Sequence, residues 1–150
     1  MLSELHIRGH VRIRVHPAGY VYHRGNYQSG RVLMDDPNTI IPAGRDYLAT
    51  LLIKDGTNLA YTPGITQVGL WAGGIERYKA DLTDRYTTGS NAVGVLFVTT
   101  TQPSGQPYTF NEVRLYANSS GSVYVAQKTG LNIEKNNTLA LTVEWTLTLT

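Results

Sequence analysis

The chain has 150 residues, no cysteine, and a formal net charge of +2 from 13 Lys/Arg and 11 Asp/Glu. That length supports one domain with a sizeable core, and the missing thiols exclude a disulfide scaffold and a thiolate metal site. No apolar run approaches the ~20 residues of a membrane-spanning helix, and Met1 to Val11 lacks the apolar stretch of a secretory signal, so assembly in a cytoplasm is expected.

Two alternating ladders frame the chain. From Leu5 to His16 the apolar series Leu5, Ile7, Gly9, Val11, Ile13, Val15 alternates with His6, Arg8, His10, Arg12, Arg14, His16. Side chains on a strand point to alternate faces, so this is a half-buried strand with a basic outer face. Pro17-Ala18-Gly19 signals a turn, and Tyr20 to Arg24 reads as a returning strand, so residues 1–24 form a basic N-terminal hairpin. Gly25 to Asn38 reads as a polar loop with a short strand at Arg31–Met34.

One helix is expected, over Ala43 to Lys54. Pro42 opens it, and Tyr47, Leu48, Leu51 and Leu52 fall on one stripe before the stop at Asp55-Gly56. Shorter strands follow: Ile65 to Trp71, then Ala92 to Thr100, whose continuous apolar run predicts burial on both faces. Thr101 to Pro107 is a loop. Phe110, Val113, Leu115 and Ala117 mark the next strand, Asn118 to Gly121 a turn, and Ser122 to Gln127 its partner. Gly130 to Asn137 reads as a polar lead into the second ladder, where Leu139, Leu141, Val143, Trp145, Leu147 and Leu149 are apolar. The sum is a mainly β domain, an antiparallel β-sandwich of jelly-roll type with seven to nine strands. Ten Tyr and 15 Gly suit sheets joined by tight turns.

Catalytic patterns are missing: there is no G-x-S-x-G elbow, P-loop, G-x-G-x-x-G or H-E-x-x-H. Asp81 and Asp84 form a near pair that reads as turn chemistry rather than acid–base machinery, so no enzyme and no cofactor are expected. His6 and His10 share a face but lie ~13 Å apart along a strand at ~3.3 Å per residue, too far to hold one metal ion. Charge is uneven. Residues 1–45 carry six Arg against Glu4, Asp35 and Asp36, a balance of +3, whereas residues 46–150 sum to −1. That asymmetry makes His6, Arg8, His10, Arg12, Arg14 and His16 the candidate contacts for an acidic partner, with a solvated strand face as the competing reading. The excess is too small for a nucleic-acid binder. Tyr20, Tyr22 and Trp71 are the candidate contacts for a glycan, against a core position for Trp71.

The run Asn111-Glu112-Val113-Arg114-Leu115-Tyr116-Ala117-Asn118, then Gly121, Val123, Lys135 and the ladder Leu139 to Leu149 with Trp145, resembles tailed-bacteriophage virion proteins. There an "E-[IV]-x-L" strand, a turn, a short strand and a Lys-containing loop precede an "L-x-[VI]-x-W-x-L" strand. Gly44 to Ala49 and Ile65 to Leu70 are similar as well, so the resemblance covers roughly residues 40–150. It implies a small β-sandwich of a fibre, baseplate or capsid surface, commonly a homotrimer. The expectation is a capsid decoration (cement) protein in the virion that binds the major capsid protein, with a tail or receptor-binding tip, or a stand-alone carbohydrate-binding module, as alternatives.

Overall fold

The computed structural model describes residues 6–42, 44, 65–117 and 123–149. The described residues form ten strands: β1 (Ile7–Pro17), β2 (Arg31–Pro37), β3 (Thr39–Ile40), β4 (Ile65–Ala72), β5 (Ile75–Asp81), β6 (Asp84–Thr88), β7 (Asn91–Val98), β8 (Tyr108–Ala117), β9 (Val123–Lys135) and β10 (Leu139–Leu149). They make two five-stranded antiparallel sheets, ordered β2-β1-β10-β7-β6 and β3-β9-β8-β4-β5.

The two ladders find each other. β1 and β10 pair from Ile7↔Leu149 to Pro17↔Leu139 without a register shift. Their period of two sends Val11, Ile13 and Val15 of β1, with Leu141, Val143 and Trp145 of β10, to one face. Val68 and Leu70 of β4, Val113 and Leu115 of β8, and Val125 and Ile133 of β9 meet them from the second sheet in one buried cluster. Two sheets over a shared core are a β-sandwich-like architecture. Full burial of each such aliphatic side chain contributes roughly 1.5–3 kcal/mol, so this layer is the main source of stability.

Several local expectations change. Tyr20 to Arg24 is not a strand; the partner of β1 is β2, so the short strand expected at Arg31–Met34 runs on to Pro37 and residues 18–30 make an excursion between the two. β5 and β6 add two strands that the apolar pattern did not mark, because β5 is half-exposed and β6 is an edge. β9 runs to Lys135, through the stretch read as a polar lead. Gly130, at φ 74°, sits where two extra β9 residues are absorbed between the pairs Phe110↔Ile133 and Glu112↔Thr129. The expected helix lies outside the described residues apart from Gly44, as does the Asn118–Gly121 turn. Burial of β7 on both faces holds, with Val93, Val95, Leu96 and Val98 all buried.

At one end of the sandwich Lys135 is wholly buried. Its ammonium donates to the Thr100 carbonyl at 3.2 Å, Gln106 Oε1 at 2.8 Å and the Asn136 carbonyl at 2.8 Å. Three neutral oxygens use all three donors and tie the Thr101–Pro107 loop to the β9–β10 connection.

Candidate interaction surface

The outer face of the first sheet carries one row across all five strands. Register places Asp35 opposite Arg12, Arg12 opposite Glu144, Glu144 opposite Val95 and Val95 opposite Asp84. Arg12 Nε lies 3.1 Å from Asp35 Oδ2, and its Nη1 lies 3.6 Å from Glu144 Oε1. Arg14, one step along, approaches Glu144 Oε2 at 3.5 Å. The basic face read from the sequence is therefore neutralised from both neighbouring strands.

It is also covered. Residues 18–30 leave β1 at Pro17, turn at Gly19 (φ 90°), cross the outer face and return through a single 3-10 turn, Tyr27–Ser29, to Gly30. We call this segment the strap. Tyr20 stacks on His16 with ring centroids 3.9 Å apart and planes 10° off parallel, and meets Phe97 edge-on. Arg24 grips Asp84 with two parallel hydrogen bonds, Nε at 2.8 Å and Nη2 at 2.6 Å, while the Tyr22 hydroxyl donates to the same carboxylate at 2.8 Å. Tyr27 is buried; its hydroxyl donates to Glu144 and shares a 2.6 Å hydrogen bond with the Tyr86 hydroxyl. The cation of Arg14 lies 5.4 Å from the centre of the Tyr27 ring.

The six candidate partner contacts thus divide. His6 and Arg8 are exposed, and His10, hydrogen-bonded to Asp35, and Arg12 are part-exposed. Arg14 is 5% exposed and His16 2%, so the strap withholds both from any surface contact. Titration follows the geometry. The Asp84 carboxyl is held down at about 2, chiefly by its hydrogen bonds from Arg24. Burial, then the Glu144 hydrogen bond, pushes Tyr27 well above the usual tyrosine range. Burial, then the neighbouring Arg14 charge, lowers His16.

Tyr20 and Tyr22 belong to the strap and are committed to the sheet beneath it. Trp71 lies on the outer face of the second sheet, half-buried rather than in the core. The Arg114 guanidinium sits 3.9 Å from the Trp71 ring centre and 4.5 Å from that of Tyr124, with Glu112 accepting from Arg114 Nε. Beside it Gly69 lets the Tyr116 ring and the Glu76 carboxylate close over the strand; a methyl group there would overlap both. Burial and the Glu76 hydrogen bond push Tyr116 to about 12. The result is a flat aromatic and charged platform.

Asp81 and Asp84 bound the β5–β6 turn. Asp81 accepts from Gln67 at 2.9 Å and Asp84 is held by the strap, which leaves neither placed as an acid–base pair. No group of three or more His, Cys, Asp or Glu suited to a metal ion occurs among the described residues. The residues missed by sequence reading are Tyr27, Tyr86, Glu144, Arg114 and Tyr124. The available signals were Glu144, the one acid in the final ladder, and the apolar outer positions Val93 and Val95, which required a cover. Comparison with protein-family models, curated proteins and solved structures finds no match to this chain.

Proposed function

We propose that this chain is a non-enzymatic structural subunit of a tailed-phage particle, a trimeric capsid decoration protein that binds and stabilises the shell. One observation carries the reading: the residues behind the virion resemblance occupy the framework of the sandwich. Val113, Leu115 and Trp145 are buried in the shared core, and Lys135, the lysine of the pattern, is the buried tie between two loops. Within the two-sheet architecture we read a jelly-roll-like winding, supported by the nested pairs β1 with β10, β3 with β9 and β4 with β8. Among the described residues four edge strands, β2, β6, β3 and β5, supply backbone that a closed oligomer can pair. A subunit that binds only the assembled lattice stabilises it by mass action.

Light scattering on a sizing column tests the assembly: three 16.5-kDa chains give 49.5 kDa. Sedimentation with shells stripped of decoration tests the role. Binding that is saturable and weakened by charge reversal at Arg8 and Arg12 is the expected result. No binding at any salt concentration refutes the decoration role.

The Trp71–Arg114–Tyr124 platform favours a second reading, a tail or receptor-binding tip that takes a host-surface glycan; sugar rings stack on such aromatics while Arg and Glu hydrogen-bond their hydroxyls. Adsorption to host cells that is lost in Trp71→Ala and competed by surface polysaccharide would select it. Retention of a glycan column by the isolated protein, without shell or cell binding, would select the stand-alone carbohydrate-binding module.

A further inference from the structure

We propose that the strap is a pH-gated cover, in which the neutral His16 ring pins both of its ends to the first sheet and protonation of that ring lifts them to expose it. The geometry sets His16 at the meeting point of the two ends. Tyr20, near the start of the strap, stacks on the ring. Gly30, its last residue, lies so close that a methyl group there would overlap the imidazole. Nε2 is hydrogen-bonded to Thr142 Oγ1 of β10 at 2.9 Å. One buried ring therefore organises both ends of a 13-residue excursion.

A charged ring has no counter-ion in that position among the described residues. On its own strand it faces Arg14, whose Nε finds no acceptor among the described residues. From β10 come Thr142 and Glu144, and the carboxylate is already committed to Arg12, Arg14 and Tyr27. From β7 comes Phe97, which packs on Tyr20 and Tyr22. The strap brings Tyr20, Tyr22 and Tyr27, and the other titratable groups nearby in sequence, His23 and Arg24 of the strap and Arg31 at the start of β2, are bases rather than acids. The strap's acid partner, Asp84, is engaged by Arg24 and Tyr22 on β6, at the far side of the sheet. Protonation would set two cations side by side in a site with little water.

The sign follows from the lowered basicity of the buried ring. The closed strap favours neutral His16, so its contribution is fully present above the ordinary value of 6.5 and is lost as pH falls below it. The Asp84 clasp has the opposite need. A carboxyl held at about 2 stays ionised throughout that range, so the middle of the strap stays tethered while the ends lift. Mild acid thus adds His16 to the exposed basic face without detaching the strap, while Tyr27, held by Glu144 and Tyr86, keeps its place over Arg14. The gate does not depend on the virion reading.

Hydrogen exchange at several pH values between about 7.5 and 5 tests this on the intact protein. Protection factors, which remove the intrinsic pH dependence of exchange, are compared for amides of residues 18–30 and of β10. The expected result is a fall in the strap alone, about tenfold for each unit by which His16 is lowered, absent in His16→Gln. Gln keeps a partner for Thr142 and carries no charge. A pH-independent strap, simultaneous loss in β10, or the same step persisting in His16→Gln overturns the proposal. If His16→Gln does not fold, the wild-type ring is titrated by NMR, and a ring that titrates with no change in strap exchange overturns it equally.

Discussion

Two side chains show how position alone sets what a charge does. Asp84 takes three hydrogen bonds from Arg24 and Tyr22, and its carboxyl is held at about 2 instead of the ordinary 3.8. The unfolded chain takes up this proton first, so the stabilisation is complete above 3.8 and is lost as pH falls towards about 2. The melting temperature of the wild type should therefore fall more steeply between about pH 4 and 2 than that of Asp84→Asn; parallel curves would show that the clasp adds nothing. Lys135 is the contrary case, a cation with no acid among its contacts with the described residues, its basicity lowered by burial. Replacing it with Met keeps the volume but leaves three oxygens without their donor. Lys135→Met should cost about 1–3 kcal/mol in urea denaturation, and a neutral result would mean that water replaces the ammonium.

At the scale of the element, the strap and the strand row beneath it form one polar layer on top of an apolar one. Removing Glu144 alone should be severe, because the buried Arg14 loses its carboxylate while Arg12 keeps Asp35, and about 3–5 kcal/mol is the usual cost of breaking a buried pair. Removing both charges together in Glu144→Leu with Arg14→Met should cost less than the sum of the single changes. Additive losses in a double-mutant cycle would deny the coupling. This layer was the least legible part of the chain. The alternation of Val11, Ile13 and Val15 with Arg12, Arg14 and His16 was plain, and so was its mate from Leu139 to Leu149, because a period of two survives in sequence order. What the alternation could not say is what lies over the even positions. Tyr20 and Tyr22 read as strand residues and Tyr27 as part of a polar loop, yet all three descend onto a face that only register brings together, from Asp35, Glu144 and Asp84, which lie far apart in sequence. Trp71 was open for the same reason: Arg114 and Tyr124 come from two other strands.

For the molecule as a whole the two-layer architecture was readable from the ladders and the turn glycines, while strand number was not, since β5 and β6 bury little and leave a weak apolar signature. One pairing governs the rest. β1 lies inside its sheet, between β2 and β10, and it meets β10 across the full length from Ile7 to Leu149. On a ribosome those partners emerge about 120 to 140 residues apart, and at roughly 5–20 residues per second the first strand waits on the order of ten seconds for its mate. Throughout that interval the strand carrying Val11, Ile13 and Val15 has only β2 to pair with in its sheet. The first sheet accordingly stays incomplete until β10 has emerged, and a nascent chain arrested before Leu139 should be cut by protease throughout residues 7–37, whereas a chain that includes β10 should protect them. Protection already present on the arrested chain would mean that β1 and β2 fold without β10. If it is absent, a stalled ribosome exposes a sticky apolar strand, and the speed of translation becomes a determinant of yield.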